Sequence, residues 1–315
     1  MTSRVAAIDC GTNSLRLLLA DVDPDRAVLT DVTRRMEIVR LGQGVDQTGR
    51  LAPEALMRTI AVLRDYADVI AGAGAQAVRM VATSATRDAS NAAVFVRMVS
   101  EVLGVAPEVL TGDEEAVLSF TGATAELAAG ADLGPFLVAD IGGGSTEFVL
   151  GPAGKPPEHE LSVNIGCVRL TERHLHGDPP TDQEAAAATA DIDAALDTVA
   201  AAVPVRQART LVGLAGSVAT VAGIALGLPR YDSALIHHAR VSAADVHAVT
   251  SALLTQTRAE RAAIGVMHPG RVDVIGGGAL ILDRLMRRFG FGEVLASEHD
   301  ILDGIAWSLA RRAPG

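Results

Sequence analysis

Apolar and polar positions along this chain follow two kinds of rhythm. Two stretches share one pattern: AAIDCGTNSLRLLLA (Ala6 to Ala20) and LVADIGGGSTEFVLG (Leu137 to Gly151). Each runs apolar, then Asp-x-Gly-x-x-Ser-x-charged, then apolar again. Each predicts a strand, a tight turn and a second strand. Asp9 matches Asp140, Gly11 matches Gly142, Ser14 matches Ser145 and Arg16 matches Glu147. Two such copies, far apart in the chain, predict two related domains facing each other.

Around these hairpins strands and helices alternate. Val78 to Ala85 reads as a strand ending in small residues, and the stretch after it, from Thr86, as one helix stopped by Gly104. PEVLTGDEEAVLSFTGATAEL reads as strand, turn and helix. Asp182 to Val203 is an Ala-rich amphipathic helix with Ile192, Leu196 and Val199 on one face. Val241 to Gln256 and Leu280 to Phe289 also read as helical. GPAGKPPEHE is a loop between strands, and ELAAGADLGP (Glu126 to Pro135) marks a link between the halves. Thr210 to Pro229 carries no charge and nears the length of a membrane span, about 20 residues. Its glycines, serine and threonines fit a buried strand, loop and helix better.

Composition narrows the partners. The chain has 315 residues, 49% of them hydrophobic, enough to bury the cores of two domains. Its formal net charge is -11, which argues against a nucleic-acid coat. Lys155 is the single lysine, so the cations are almost all arginines, whose planar fork suits phosphate oxygens. Cys10 and Cys167 form no C-x-x-C, which suggests a reducing compartment without disulfides. With no signal-peptide pattern, the chain is expected to be cytoplasmic and off the membrane.

The chemistry gathers at the turns. A glycine-rich turn lets backbone N–H groups converge on an oxyanion, and serine or threonine adds hydroxyl donors. Gly142, Gly143, Gly144 and Ser145 therefore form a candidate phosphate cradle, alternatively a plain hairpin turn. No lysine follows as in the P-loop, and EFVL opens a strand rather than the helix of a dinucleotide fold. An aspartate beside bound phosphate calls for a cation between them. Asp9 and Asp140 are candidate ligands of one Mg²⁺ held from both sides, or alternatively Asx-turn caps. Ser84 reads as an N-cap, which places Arg87 in a first turn where the dipole disfavours a cation unless an anion is near. The alternative is a surface arginine paired with Asp88 or Glu101. Thr111 as N-cap puts Glu114 at the capping-box position and leaves Glu115 without a structural task. Glu115 is then either an ordinary first-turn acid or the group that orients or deprotonates an attacking water. The histidines lack metal-ligand spacing: neither His174-x-His176 nor His237-His238 finds a third ligand, so they read as surface or packing residues.

These strings resemble a known family. Paired Asp-x-Gly-x-x-Ser loops look like the actin, Hsp70 and sugar-kinase superfamily. IDCGTNSLRL, VATSATRDASN, LTGDEEA, DIGGGSTE, IGCVRLTE and GLAGSVAT resemble, in order, motifs of the exopolyphosphatase and guanosine pentaphosphate phosphohydrolase family. DVIGGGALIL and SEHDILDGI extend a weaker likeness towards the C-terminus. The resemblance implies an α/β protein of two actin-like (ribonuclease H-like) domains, with mixed sheets flanked by helices and an active-site cleft between them. The expected domains are 1–125 and 126–299, with a C-terminal helix of about 300–313 packing back on the first. It marks Glu115 and Glu147 as catalytic. The phosphate-binding set is Gly11, Thr12, Asn13, Ser14, Arg87, Gly142, Gly143, Gly144, Ser145, Gly216 and Ser217, with Mg²⁺ or Mn²⁺ at Asp9 and Asp140. Thr12 replaces the family's usual serine, and Ala215 stands where serine or glycine is common. The implied reaction is hydrolysis of a terminal phosphoanhydride, with inorganic polyphosphate or pppGpp as substrate and a homodimer as the assembly. The rival readings are an actin-like small-molecule kinase and a non-catalytic nucleotide or phosphate sensor.

Overall fold

The computed structural model describes residues 2–129 and 133–312, so part of the Glu126 to Pro135 link and the end of the expected C-terminal helix lie outside the described residues. The chain divides into two compact units, Met1–Gly122 with Ile301–Gly315, and Ala123–Asp300.

In the first unit the strands are β1 (Ser3–Cys10), β2 (Ser14–Asp23), β3 (Val28–Ile38), β4 (Ala77–Ala82) and β5 (Glu108–Val109). The helices are α1 (Val45–Thr48), α2 (Pro53–Ala73), α3 (Ser84–Asp88), α4 (Ala92–Leu103), α5 (Gly112–Thr124, whose end passes into the second unit) and α13 (Ile301–Arg312). β1, β2 and β3 form an antiparallel meander, and β4 and β5 join β1 in parallel, giving the order β3-β2-β1-β4-β5. Alternate residues of β2 (Leu15, Leu17, Leu19) pack on Leu63 and Tyr66 of α2 and Phe95 of α4. The buried Tyr66 hydroxyl donates to Leu15 O at 3.1 Å, which satisfies its polar end. Asp303 of α13, almost fully buried, is held by Arg34 of β3 at 2.6 Å.

The second unit repeats that topology. Its strands are β6 (Phe136–Ile141), β7 (Thr146–Gly151), β8 (His159–Val163), β9 (Thr210–Leu214), β10 (Arg240–Ser242) and β11 (Glu293–Ala296). Its helices are α6 (Cys167–His174), α7 (Asp182–Ala202), α8 (Ala215–Ala225), α9 (Ser233–Ile236), α10 (Ala243–Thr255), α11 (Arg258–Ala262) and α12 (Ile275–Phe289). The meander β6-β7-β8 matches β1-β2-β3, and β9 and β11 lie parallel to β6 as β4 and β5 lie to β1. An added antiparallel strand, β10, completes the order β10-β11-β9-β6-β7-β8. α7, capped by a Thr181–Glu184 capping box, buries Ile192, Leu196 and Val199 as its periodicity predicts.

Local differences from the sequence reading have physical causes. The single helix expected from Thr86 to Gly104 is two, α3 and α4. Asn91 breaks it, because its side chain accepts from Leu51 N at 2.8 Å and donates to Leu51 O at 3.0 Å. The N-cap of α3 is Thr83, not Ser84, and Arg87 sits in that helix's last turn, where the dipole favours a cation. Arg87 therefore does not oppose the helix dipole, as a first-turn cation would. The helix expected at Val241 starts at Ala243, since Ser242 Oγ accepts from Asp245 N and the preceding residues pair as β10. Thr210 to Pro229 is β9 followed by α8, and among the described residues no helix is long and apolar enough to cross a membrane.

Candidate functional site

In each unit the candidate residues lie where parallel strands end. In open α/β sheets ligands bind beyond the carboxyl ends of the strands. Beyond β1 comes the Gly11–Asn13 turn, beyond β4 comes α3 with Arg87, and beyond β5 comes α5 with Glu115. In the second unit β6 leads into Gly142, β9 into Ala215 and β11 into Ser297.

The two turns share their internal geometry. Gly11 N–H donates to Ser14 O at 3.0 Å, and Gly142 N–H donates to Ser145 O at 3.1 Å. In the first turn Thr12 O accepts from Gly42 N at 2.8 Å, and Asn13 O accepts from Val39 N and Arg40 N at 3.0 and 2.8 Å. In the second, α6 does the same work. Gly142 O accepts from Cys167 N at 3.0 Å, and Gly143 O from Val168 N and Arg169 N at 2.9 and 3.1 Å. Gly144 O accepts from Arg169 Nε at 2.6 Å. In a trans peptide the C=O and the following N–H point in opposite directions. Pinning these carbonyls on one side therefore turns the N–H groups of Asn13 and Ser14, and of Gly143, Gly144 and Ser145, to the other. Consecutive outward amides form an anion-binding nest. Thr12 Oγ1 is buried without a hydrogen-bond partner, which suits a hydroxyl awaiting an acceptor.

The strand-end aspartates sit opposite the charged residues of the repeat. Asp9 faces Arg16 across β1 and β2, and Asp9 Oδ2 accepts from Arg16 Nη2 at 2.7 Å and from its Nε at 3.0 Å. Asp140 faces Glu147 across β6 and β7, and both are buried. Glu147 Oε1 accepts from Ser162 Oγ at 2.8 Å. Like charges directly opposite on a sheet repel.

Glu115 and Arg87 come together. The capping box forms as the spacing predicts: Glu114 N donates to Thr111 Oγ1 at 3.2 Å, and Glu114 Oε2 accepts from Thr111 N at 2.9 Å. Glu115, one position on, is buried and turned to Arg87, whose Nη1 donates to Glu115 Oε2 at 3.1 Å and to Leu110 O at 3.0 Å. Neither alternative pairing, to Asp88 or Glu101, is the one found.

The third loop differs from expectation in its donors. The Ser217 hydroxyl hydrogen-bonds the Cys167 thiol, and its Oγ fills the space where a Cβ on Gly278 would sit, so it serves packing. Gly216 stays at the surface of α8, and a Cβ there would lie 2.2 Å from the guanidinium carbon of Arg271. Arg271 is therefore laid over this turn, a placement the sequence did not reveal. Arg169 was missed too, although the glycine just before its helix, Gly166, signals a close approach. Burial pushes both thiols up, that of Cys10 well above the usual range with Asp9 adding to the rise. Both cysteines are buried and free, so neither is a thiolate nucleophile. Among the described residues, Glu126, His237 and His299 bring potentially ligating atoms within 4.8 Å of one another, a grouping the histidine spacing did not suggest.

A family model described as the Ppx/GppA phosphatase family matches residues 19–313. Exopolyphosphatase 2 of Mycobacterium tuberculosis is 53% identical, over 98% of this chain and 99% of its own. The crystal structure of an exopolyphosphatase-like protein superposes with a TM-score of 0.94 at 43% identity, covering 99% of this chain and 98% of that one. The Aquifex aeolicus member of the Ppx/GppA family superposes with a TM-score of 0.81 at 28% identity over the whole of both chains.

Proposed function

The chain belongs to the Ppx/GppA phosphatase family, and from that premise we propose that it is an exopolyphosphatase. It hydrolyses the terminal phosphoanhydride of inorganic polyphosphate and releases phosphate. The observation that carries this reading is the outward turn of the Gly143, Gly144 and Ser145 amides, enforced by α6 and repeated at Asn13 and Ser14. Such donors bind phosphoryl oxygens without binding any particular leaving group. Phosphoryl transfer rests mainly on positioning and electrostatics. Glu115 orients the attacking water and takes its proton as the new P–O bond forms, while the shortened chain leaves with the electrons of the broken anhydride. Arg87, already on Glu115 Oε2, holds that carboxylate in place and offers its guanidinium to the phosphoryl group.

Carboxylate oxygens are the ligands of a hard divalent ion. The opposed, buried Asp140 and Glu147 fit a cation, and so does the buried carboxylate of Asp9 at the matching strand end. Mg²⁺ or Mn²⁺ at Asp9 and Asp140 would offset the charge of the substrate phosphates. Net charge -11 and a single lysine leave no extended basic track for a long polyanion. Short polyphosphate is therefore the preferred substrate, attacked from its end. The proposed assembly is a homodimer, which light scattering of the purified chain tests.

The test of function is kcat/KM for phosphate release across a ladder of polyphosphate lengths, with pppGpp and ATP alongside at fixed ionic strength. Short polyphosphate should be turned over best, and excess EDTA should abolish turnover until Mg²⁺ or Mn²⁺ is restored. Efficiency that climbs steadily with length, or pppGpp hydrolysed far better than any polyphosphate, overturns the substrate reading. Turnover untouched by EDTA overturns the metal.

A further inference from the structure

Within the second unit, three separate stretches bring metal-ligating atoms together, none of them in the phosphate loops. Glu126 lies in a short 3-10 turn, Glu126–Ala129. His237 follows α9, and His299 belongs to the turn after β11. Glu126 Oε2 stands 3.3 Å from His237 Nε2, and Glu126 Oε1 stands 3.6 Å from His299 Nδ1. One ligand atom from each residue lies within 4.8 Å of the other two.

Those separations are longer than a good N–H···O bond, about 2.7–3.2 Å. They approach another length. Metal bonds to nitrogen and oxygen of about 2.0–2.1 Å set the edges of a coordination tetrahedron at about 3.3 Å. The rings are also fixed before an ion arrives: His237 stacks on His238 with centroids 3.7 Å apart and lies tilted against His299 at 4.5 Å. Entry is open, since the Glu126 side chain is 53% exposed while those of His237 and His299 are only 20% and 27% exposed.

We propose that Glu126, His237 and His299 form a binding site for a borderline transition-metal ion, Zn²⁺ or Ni²⁺, separate from the hard divalent ion of the phosphoryl chemistry. Imidazole nitrogens select such ions, and a carboxylate completes a three-ligand set with further positions for water. One contact couples binding to the tautomer of His237. Glu298 N–H donates to His237 Nδ1 at 3.2 Å, so the neutral ring carries its proton on Nε2, towards Glu126. The ion takes the place of that proton. The ring then stays neutral only with its proton on Nδ1, which gives up the Glu298 contact. Binding therefore shifts the Ser297–Asp300 turn, which is tied to β9 through Ser297 N–H on Gly213 O at 3.0 Å.

The experiment titrates Zn²⁺ calorimetrically into chelator-stripped, full-length protein with Mg²⁺ saturating, and records visible absorption on Co²⁺ addition. Wild type should bind one equivalent and give the intense d–d bands of a low-coordinate nitrogen-and-oxygen site. Glu126→Gln, and the pair His237→Asn with His299→Asn, should weaken binding by at least about 10- to 100-fold and lose the bands. His176→Asn, on a different histidine–carboxylate contact, should change neither readout. Exposed, isosteric Glu126→Gln should keep the wild-type melting point and Mg²⁺-supported turnover. Identical isotherms for wild type and the cluster variants, or loss of binding in His176→Asn, overturn the site.

Discussion

Gly166→Ala tests whether α6 sets the phosphate loop. Gly166 has φ -158 and ψ 163, ordinary extended backbone, so alanine brings no torsional strain. The obstacle is contact. A Cβ there would lie 2.4 Å from Gly143 O, 2.5 Å from Gly143 C and 2.6 Å from Gly144 N, all backbone atoms with no rotamer to escape into. Ordinary contact begins at 3.4 Å, so loop and helix must part by about 1 Å in a close-packed interior. The hydrogen bonds at stake are those from Cys167 N, Val168 N and Arg169 N, which hold the carbonyls of Gly142 and Gly143. Once they stretch, the amides of Gly143, Gly144 and Ser145 lose their common aim.

Overpacking of this size costs about 1–3 kcal/mol of stability. Loss of one preorganised oxyanion donor costs about 10²–10³ in rate, and a misplacement of about 1 Å costs about 10². The expected result is a folded protein with a lowered melting point and kcat/KM on short polyphosphate down about 10²-fold or more. Gly72→Ala is the control, because nothing lies within 4 Å of a Cβ there. In the last turn of α2 it should leave kinetics unchanged and stabilise by less than the about 0.5–1 kcal/mol of a mid-helix glycine. Phosphate release and thermal melts read both variants. Wild-type kcat/KM in a folded Gly166→Ala protein would show that the nest does not depend on α6.

Glu115→Gln should lower kcat by about 10²–10⁴ with KM kept, while Glu114→Gln, whose amide can still cap, stays near wild type; equal losses in steady-state kinetics would refute the division of labour. Ala215 holds φ 69 at the start of α8, so Ala215→Gly should raise stability by about 0.5–1 kcal/mol, and a lower melting point would contradict it. The capping glutamates Glu114, Glu184 and Glu260 have carboxyls below the usual range, chiefly through backbone N–H donors. Depressed carboxyls contribute stability that is present above the unfolded value, about 4.3, and is lost as pH falls through their folded values. Melting points of wild type and Glu184→Gln should therefore differ most near neutrality and converge in acid; a gap that widens in acid reverses the sign.

What the sequence revealed was local. The paired turns were legible because a strand-end aspartate, a glycine and a serine must fall at fixed short spacings to close them. The capping box at Thr111 was legible for the same reason, and setting Glu114 aside singled out Glu115. What escaped depends on distant partners. Asn91 breaks a helix because Leu51 waits for its side chain. Arg169 and Arg271 act on loops whose closeness no spacing announces. Glu126 and His299 approach His237 from stretches on either side of it in the chain, which no local spacing announces.

The repeat also carries an asymmetry at one register position. Opposite the strand-end aspartate, the first copy places Arg16 and the second places Glu147. In the first unit the guanidinium offsets the aspartate's charge from within the protein, at 2.7 Å. In the second the same position holds a buried carboxylate in place of a cation. The two proposed ligands, Asp9 and Asp140, have unlike neighbours. A single exchange of sign thus gives the duplicated turns different electrostatic settings, a guanidinium beside one aspartate and a carboxylate beside the other.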